Sequence, residues 1–190
     1  MIRALGWLTR LVVSAAIVAE LPAAGRIAGL GATPDFQHEL LAAPVQAADP
    51  ADIAEGMRLY QQKGNCQACH GWAADGRKAD NQMPDGPNLR ETKLDRNRLT
   101  VTIKCGRPGT SMPAFDKFAY SDGRCYGMKQ EQLKSFATRM PDPPATLQQR
   151  EIDLIADFLF SKVIGKGPMD HAKCIEYWGS DVDSCREFPK

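Results

Sequence analysis

Cys66-Gln67-Ala68-Cys69-His70 is the stretch around which the chain is organised. Two cysteines separated by two residues and followed at once by histidine form the attachment signature of a c-type haem. The spacing follows from the chemistry: each thiol forms a thioether to one vinyl group, and the adjacent His70 meets the iron from one side. A cysteine pair also serves as a zinc half-site or a redox dithiol. Zinc needs two further ligands, and the nearest such pair, His171 with Cys174, lies far along the chain. A thioredoxin-like dithiol follows a strand in a βαβ unit, and no strand pattern precedes Cys66. The surroundings therefore favour haem.

The chain has 190 residues and a formal net charge of +1, which argues against a nucleic-acid binder. Arg3 and Arg10 precede or open an apolar run from Leu11 to Ala19, closed by Glu20. That run is too short to span a bilayer and suits the apolar centre of a secretory signal, with Val45-Gln46-Ala47 as a small-residue cleavage site. Residues 1–47 thus read as a leader, and export to the periplasm is expected. The interval from Leu21 to Pro44 is longer than usual for a leader. A long leader, a true start further along, or an uncleaved tail each account for it. Residues 48–190 are left as one domain, large enough for a single core that a large apolar cofactor helps to fill.

Six cysteines in an exported chain carry further information. With Cys66 and Cys69 assigned to haem, Cys105, Cys125, Cys174 and Cys185 remain, an even number for an oxidising compartment. Local pairing, Cys105 with Cys125 and Cys174 with Cys185, is favoured; buried free thiols are the alternative.

Asp49-Pro50-Ala51-Asp52 reads as a helix start, with the helix running to about Lys63 and stopping at Gly64. Ile53, Met57 and Tyr60 recur at helical spacing. Gly56 in mid-helix costs about 1 kcal/mol against alanine, which points to a close packing partner. That partner is expected in a helix from Gln149 to about Val163, with Ile152, Ile155, Phe158 and Leu159 on one face and Gly165 and Gly167-Pro168 beyond its end. Between these helices, Arg96 to Cys105 predicts a short helix with Leu99 and Ile103 inward. Lys129 to Arg139 predicts another, burying Leu133 and Phe136. Pro141-Asp142-Pro143-Pro144 forms a stiff break. No strand pattern of comparable length occurs, so the fold class is all-α.

With Cys66-Gln67-Ala68-Cys69-His70, Gly86-Pro87-Asn88-Leu89 and Met112-Pro113-Ala114-Phe115 in this order between two helices, the sequence resembles the class I cytochromes c over about Ala51 to Val163. The resemblance implies one covalent haem c in an all-α fold whose first and last helices cross. It implies thioethers at Cys66 and Cys69, His70 as the proximal iron ligand and Met112 as the distal one. It also implies that the Pro87 carbonyl accepts the His70 ring N–H; a plain turn proline is the competing reading. Three Met-Pro pairs exist: Met83-Pro84, Met112-Pro113 and Met140-Pro141. Met83 follows His70 too soon for its loop to pass round the haem. Met140 is the rival, being at an ordinary distance from the final helix, and His171 comes last. Met112 has the better surroundings, a glycine-rich approach followed by proline and an aromatic.

Two features depart from the smallest members of that family. Residues between Phe115 and Pro144 form an insert, which a Cys105–Cys125 bridge would tie to the methionine loop. Residues 165–190 form a C-terminal appendage to a core of about 51–164. The resemblance implies a periplasmic electron carrier rather than an enzyme. It would take single electrons from an exported dehydrogenase and pass them to an oxidase or another cytochrome. The alternatives are a tightly bound haem subunit of a periplasmic oxidoreductase complex and, further off, a haem peroxidase or gas sensor. Arg90, Lys93, Arg96, Arg98, Lys104 and Arg107 stand against only Glu91 and Asp95, an excess that reads either as a basic rim for an acidic partner or as a solvated helix face.

Overall fold

A computed structural model describes residues 48–190; the leader reading falls outside the described residues. Helix α1 spans Pro50–Arg58 and continues without a break as one wider π turn, Leu59–Lys63, ending at Gly64. Its start is chemically determined: the Asp49 carboxylate accepts from the Ala51 amide at 2.8 Å, and Pro50 occupies a first-turn position that needs no donor. Then come the single turn α2 (Gln67–His70), a 3₁₀ turn at Leu89–Glu91, α3 (Arg96–Cys105), the short α4 (Gln130–Leu133), α5 (Gln149–Lys162) and α6 (His171–Trp178). A last 3₁₀ turn covers Asp183–Glu187. The described residues contain no strand, only an isolated bridge between Cys125 and Met128. The fold is all-α.

Helices α1 and α5 cross at Gly56. A Cβ there would stand 2.0 Å from the Leu154 carbonyl oxygen and 2.9 Å from Phe158 Cβ, so only glycine lets the backbones come this close. Two ion pairs join them, Lys63 to Glu151 at 2.6 Å and Arg150 to Asp52 at 3.7 Å. Beneath them lies the main core of Leu59, Tyr60, Leu99, Ile103, Phe115, Ile152, Ile155, Phe158 and Leu159. Helix α3 spans the residues expected, capped by the Asp95 carboxylate on the Arg98 amide at 2.8 Å. It is tied to α5 by Arg96 and Asp157 at 2.7 Å.

The helix expected over 129–139 shrinks to α4, four residues. Of its two apolar anchors only Leu133 reaches a core; Phe136 stays 38 % exposed, and one anchor does not sustain a second turn. The C-terminal segment is more structured than an appendage of loop. Asp170 caps α6 through the Lys173 amide at 2.8 Å, and Gly179 closes it in the left-handed conformation. Met169, Cys174, Tyr177 and Cys185 join the main core. Both local disulfides form, Cys105–Cys125 and Cys174–Cys185.

Candidate haem site

The π turn sets the position of the cysteine motif. The Tyr60 carbonyl accepts from the Cys66 amide at 2.8 Å, and the Tyr60 hydroxyl donates to the Gly71 carbonyl at 2.8 Å. Tyr60 thus brackets the stretch from both ends. Within α2 the His70 amide donates to the Cys66 carbonyl at 2.9 Å, which puts Cys66 and His70 on one face, with Cys69 alongside. Cys66 and Cys69 are free thiols and half-buried. Burial pushes the Cys66 thiol up to about 12 and raises that of Cys69, the opposite of the lowered pKa a reactive dithiol needs. The zinc alternative loses its second half: Cys174 is consumed in a disulfide, and His171 Nε2 lies 3.3 Å from Asp181.

His70 is buried, and its Nδ1 donates to the Pro87 carbonyl at 2.9 Å. A carbonyl oxygen has no proton to give, so Nδ1 carries the hydrogen and Nε2 keeps its lone pair. Burial lowers the pKa of the ring, against the pull of the Pro87 bond, and favours the neutral form that can ligate a metal. Nε2 has no hydrogen-bond partner among the described residues. The Pro87 contact exists because residue 86 lacks a side chain. A Cβ on Gly86 would stand 2.7 Å from His70 Nδ1 and 2.8 Å from the Cys69 carbonyl, while the Gly86 amide donates to that same carbonyl at 2.9 Å. Asn88 then starts the next turn, its side chain accepting from the Arg90 amide at 2.9 Å.

The methionine loop leaves α3 at Gly106. Arg107 donates its amide to the Met112 carbonyl at 3.2 Å, and the Met112 amide donates to Thr110 Oγ1 at 3.2 Å, closing a compact loop. Met112 is half-buried and belongs to neither apolar cluster. Met140 does belong to one: it packs on Cys105, Tyr120 and Cys125, its sulfur against Gly106. Met83 sits in the loop closed by Lys78, which pairs with Asp85 at 2.6 Å and donates to the Met83 carbonyl.

Four residues with a part in this arrangement went unassigned on sequence. Gly86 admits the Pro87 carbonyl, and its place before Pro87 was the available signal. Tyr120 and Tyr126 donate to the carbonyls of Cys105 and Gly106, at 2.5 and 2.9 Å, and so hold the root of the methionine loop. Trp72, two residues beyond His70, carries the C-terminal segment: its ring packs on Tyr177, Trp178 and Phe188, and its carbonyl accepts from Tyr177 at 2.7 Å.

The basic rim is corrected. Arg90 is 2 % exposed and faces no partner surface. Arg96 is paired with Asp157, Arg98 with Asp95 at 3.5 Å, and Lys104 with Asp116 at 3.7 Å. Lys93 and Arg107 remain exposed and without an acidic partner among the described residues. Arg107 is near enough to His70 for its charge to depress the imidazole pKa.

A family model described as cytochrome C oxidase, cbb3-type, subunit III matches residues 51–130, the span that holds α1, the cysteine motif, Pro87 and Met112. No curated protein and no solved structure matches the chain.

Proposed function

Residues 51–130 make this chain a class I c-type cytochrome, an electron-transfer haem protein, and from that premise we propose a periplasmic carrier of single electrons. It takes them from an exported dehydrogenase and passes them to an oxidase or another cytochrome. One haem c is held covalently by Cys66 and Cys69, with His70 and Met112 as axial ligands. The observation that carries this reading is His70: a buried imidazole with Nδ1 committed to Pro87 and Nε2 left with a lone pair and no partner. The cysteines support it, both lying outside the two disulfides, with Cys66 at the N-cap of the single turn that carries His70 and Cys69 within it. Met112 is preferred to Met140 because it belongs to neither apolar cluster, whereas Met140 is built into the disulfide cluster.

Haem iron with histidine and thioether ligands supplies a one-electron couple of raised potential and no open position for substrate. The chain's own residues do the rest. Pro87 fixes the tautomer and the ring plane of His70. The Tyr60 and Gly71 contacts hold the two thiols at the end of a rigid helix. Gly106, held by Tyr126, anchors the loop that presents Met112.

The oxidase subunit named by the matching family favours a second reading, a haem subunit held permanently in an oxidoreductase complex. Among the described residues no helix is long and apolar enough to cross a membrane. Purification of the native protein separates the two: a carrier elutes alone, a subunit with its complex.

Haem staining after denaturing electrophoresis tests attachment, and replacing Cys66 and Cys69 together should abolish the stain. Met112→Ala should lower the potential and remove the sulfur-to-iron near-infrared band, while Met140→Ala should leave the band in place. The reverse result overturns the assignment of Met112.

A further inference from the structure

Where the C-terminal segment meets the core, one cation is buried without a direct ion pair, its charge met only from a distance by Asp75, Asp170 and Glu176. Arg90 donates from Nε to the Gly167 carbonyl at 2.6 Å and from Nη1 to the Ala73 carbonyl at 3.4 Å. It forms no ion pair among the described residues, and Nη2 has no protein partner there. A guanidinium held by carbonyl dipoles, with its counter-charges outside hydrogen-bond reach, is a costly arrangement, because burial opposes its charge more than those distant carboxylates favour it.

The same arginine lines a small cavity of about 50 Å³ with Lys162, Lys166, Lys173, Glu176 and Tyr177. Four cations and one carboxylate thus line the cavity, with Asp75 and Asp170 acting from outside the lining. Lys162 donates to the backbone carbonyl of Glu176 at 3.2 Å, not to its carboxylate. Lys173 is shared between Asp170 at 2.6 Å and the Pro168 carbonyl at 2.9 Å. Lys166 has no side-chain partner among the described residues and is exposed. The Tyr177 hydroxyl is spent on the Trp72 carbonyl. The cavity therefore holds an excess of donors and positive charge, and its volume suits a few waters or one small oxyanion.

We propose that the Arg90–Lys162–Lys166–Lys173 cavity binds a small multivalent oxyanion of the phosphate class. A planar guanidinium offers paired donors to such an anion, and the lysines supply point charges from other directions. A tetrahedral dianion answers several of these donors at once; a monocarboxylate answers two. The four cations come from separate parts of the chain: the Leu89–Glu91 turn, the end of α5, the loop after it, and α6. Binding therefore ties the C-terminal segment to the core.

The test uses the full-length holoprotein and inorganic phosphate as the probe, by titration calorimetry at fixed ionic strength, with sulfate and acetate as comparisons. Phosphate and sulfate should bind saturably at one site, and acetate at least tenfold more weakly. The Lys162→Gln/Lys166→Gln variant, which leaves buried Arg90 in place, should weaken phosphate binding at least tenfold while its haem spectrum stays that of the wild type. No saturable binding to the wild type, or equal binding by the variant, overturns the proposal. Thermal unfolding gives a second readout. Phosphate should raise the midpoint of the wild type beyond that of the variant, whereas a general salting effect would raise both equally.

Discussion

Tyr126 donates its hydroxyl hydrogen to the Gly106 carbonyl at 2.9 Å, from a residue whose own φ is +56°. Left-handed backbone at a tyrosine is unfavourable, and the hydroxyl contact is what that conformation delivers. Tyr126→Phe removes the bond but keeps the ring. The expected loss is about 1 kcal/mol of stability, with the near-infrared sulfur band disappearing at lower denaturant than in the wild type. Global unfolding and band loss that remain coincident and unshifted would show that Tyr126 does not hold the methionine loop.

The Cys105–Cys125 disulfide closes a loop of 20 residues whose two ends are both buried. Replacing both cysteines by alanine should cost about 2–4 kcal/mol, mainly by freeing the unfolded chain. Because the bridge sits under Met140 and Tyr120, the same variant should exchange external ligands at the iron faster than the wild type. Stopped-flow cyanide binding measures this. Lost stability with unchanged binding would confine the bridge to a structural part.

Gly56→Ala places a methyl group against the Leu154 carbonyl, and neither backbone can give way without parting the helices. We expect a loss of about 3 kcal/mol or more, read from urea unfolding of the holoprotein. A loss under about 1 kcal/mol would mean that the crossing is looser than its geometry implies.

Gly86→Ala acts on the His70 imidazole without replacing either proposed iron ligand. The new methyl group would stand 2.7 Å from His70 Nδ1, so the Pro87 carbonyl must retreat. Weakening that bond makes Nε2 a poorer donor, and the reduction potential should rise, with haem attachment retained. An unchanged potential would separate Pro87 from the tuning of the site.

Of the cations once grouped as a rim, Lys93 and Arg107 alone keep unpaired charge at the surface. Lys93→Glu with Arg107→Glu should slow electron transfer with the native donor several-fold at low salt and flatten its ionic-strength dependence. The haem spectrum should not change. Arg96→Glu, by contrast, should act on stability through Asp157. Equal rates for Lys93→Glu/Arg107→Glu and wild type would place docking elsewhere.

The parts of the fold that were legible in the sequence are those fixed by local chemistry. Asp49 and Gly64 bound the first helix, Asp95 and Gly106 bound α3, and apolar spacing marks the inward face of α5. Helix α6 had equally local signals in Asp170 and Gly179, but the cysteines at 174 and 185 directed attention to the disulfide rather than to a helix. What could not be read was tertiary. The burial of Arg90 depends on carbonyls at residues 73 and 167, and the choice between Met112 and Met140 turns on Met140 packing into the disulfide cluster while Met112 joins neither cluster. The motif residues around the cysteines were visible as types and spacing. Their mutual geometry needed Gly86, whose importance lies in a side chain it does not have.

Tyr177 reaches back across 105 residues to the carbonyl of Trp72. A chain that is delivered N-terminus first therefore presents Cys66, Cys69 and His70 long before the segment that covers Trp72 has arrived. During that interval Trp72 stands without Tyr177, Trp178 and Phe188, the rings that pack on it in the finished molecule. The C-terminal segment is therefore the last piece of the core to close, by a contact that reaches back to the residue two places beyond His70.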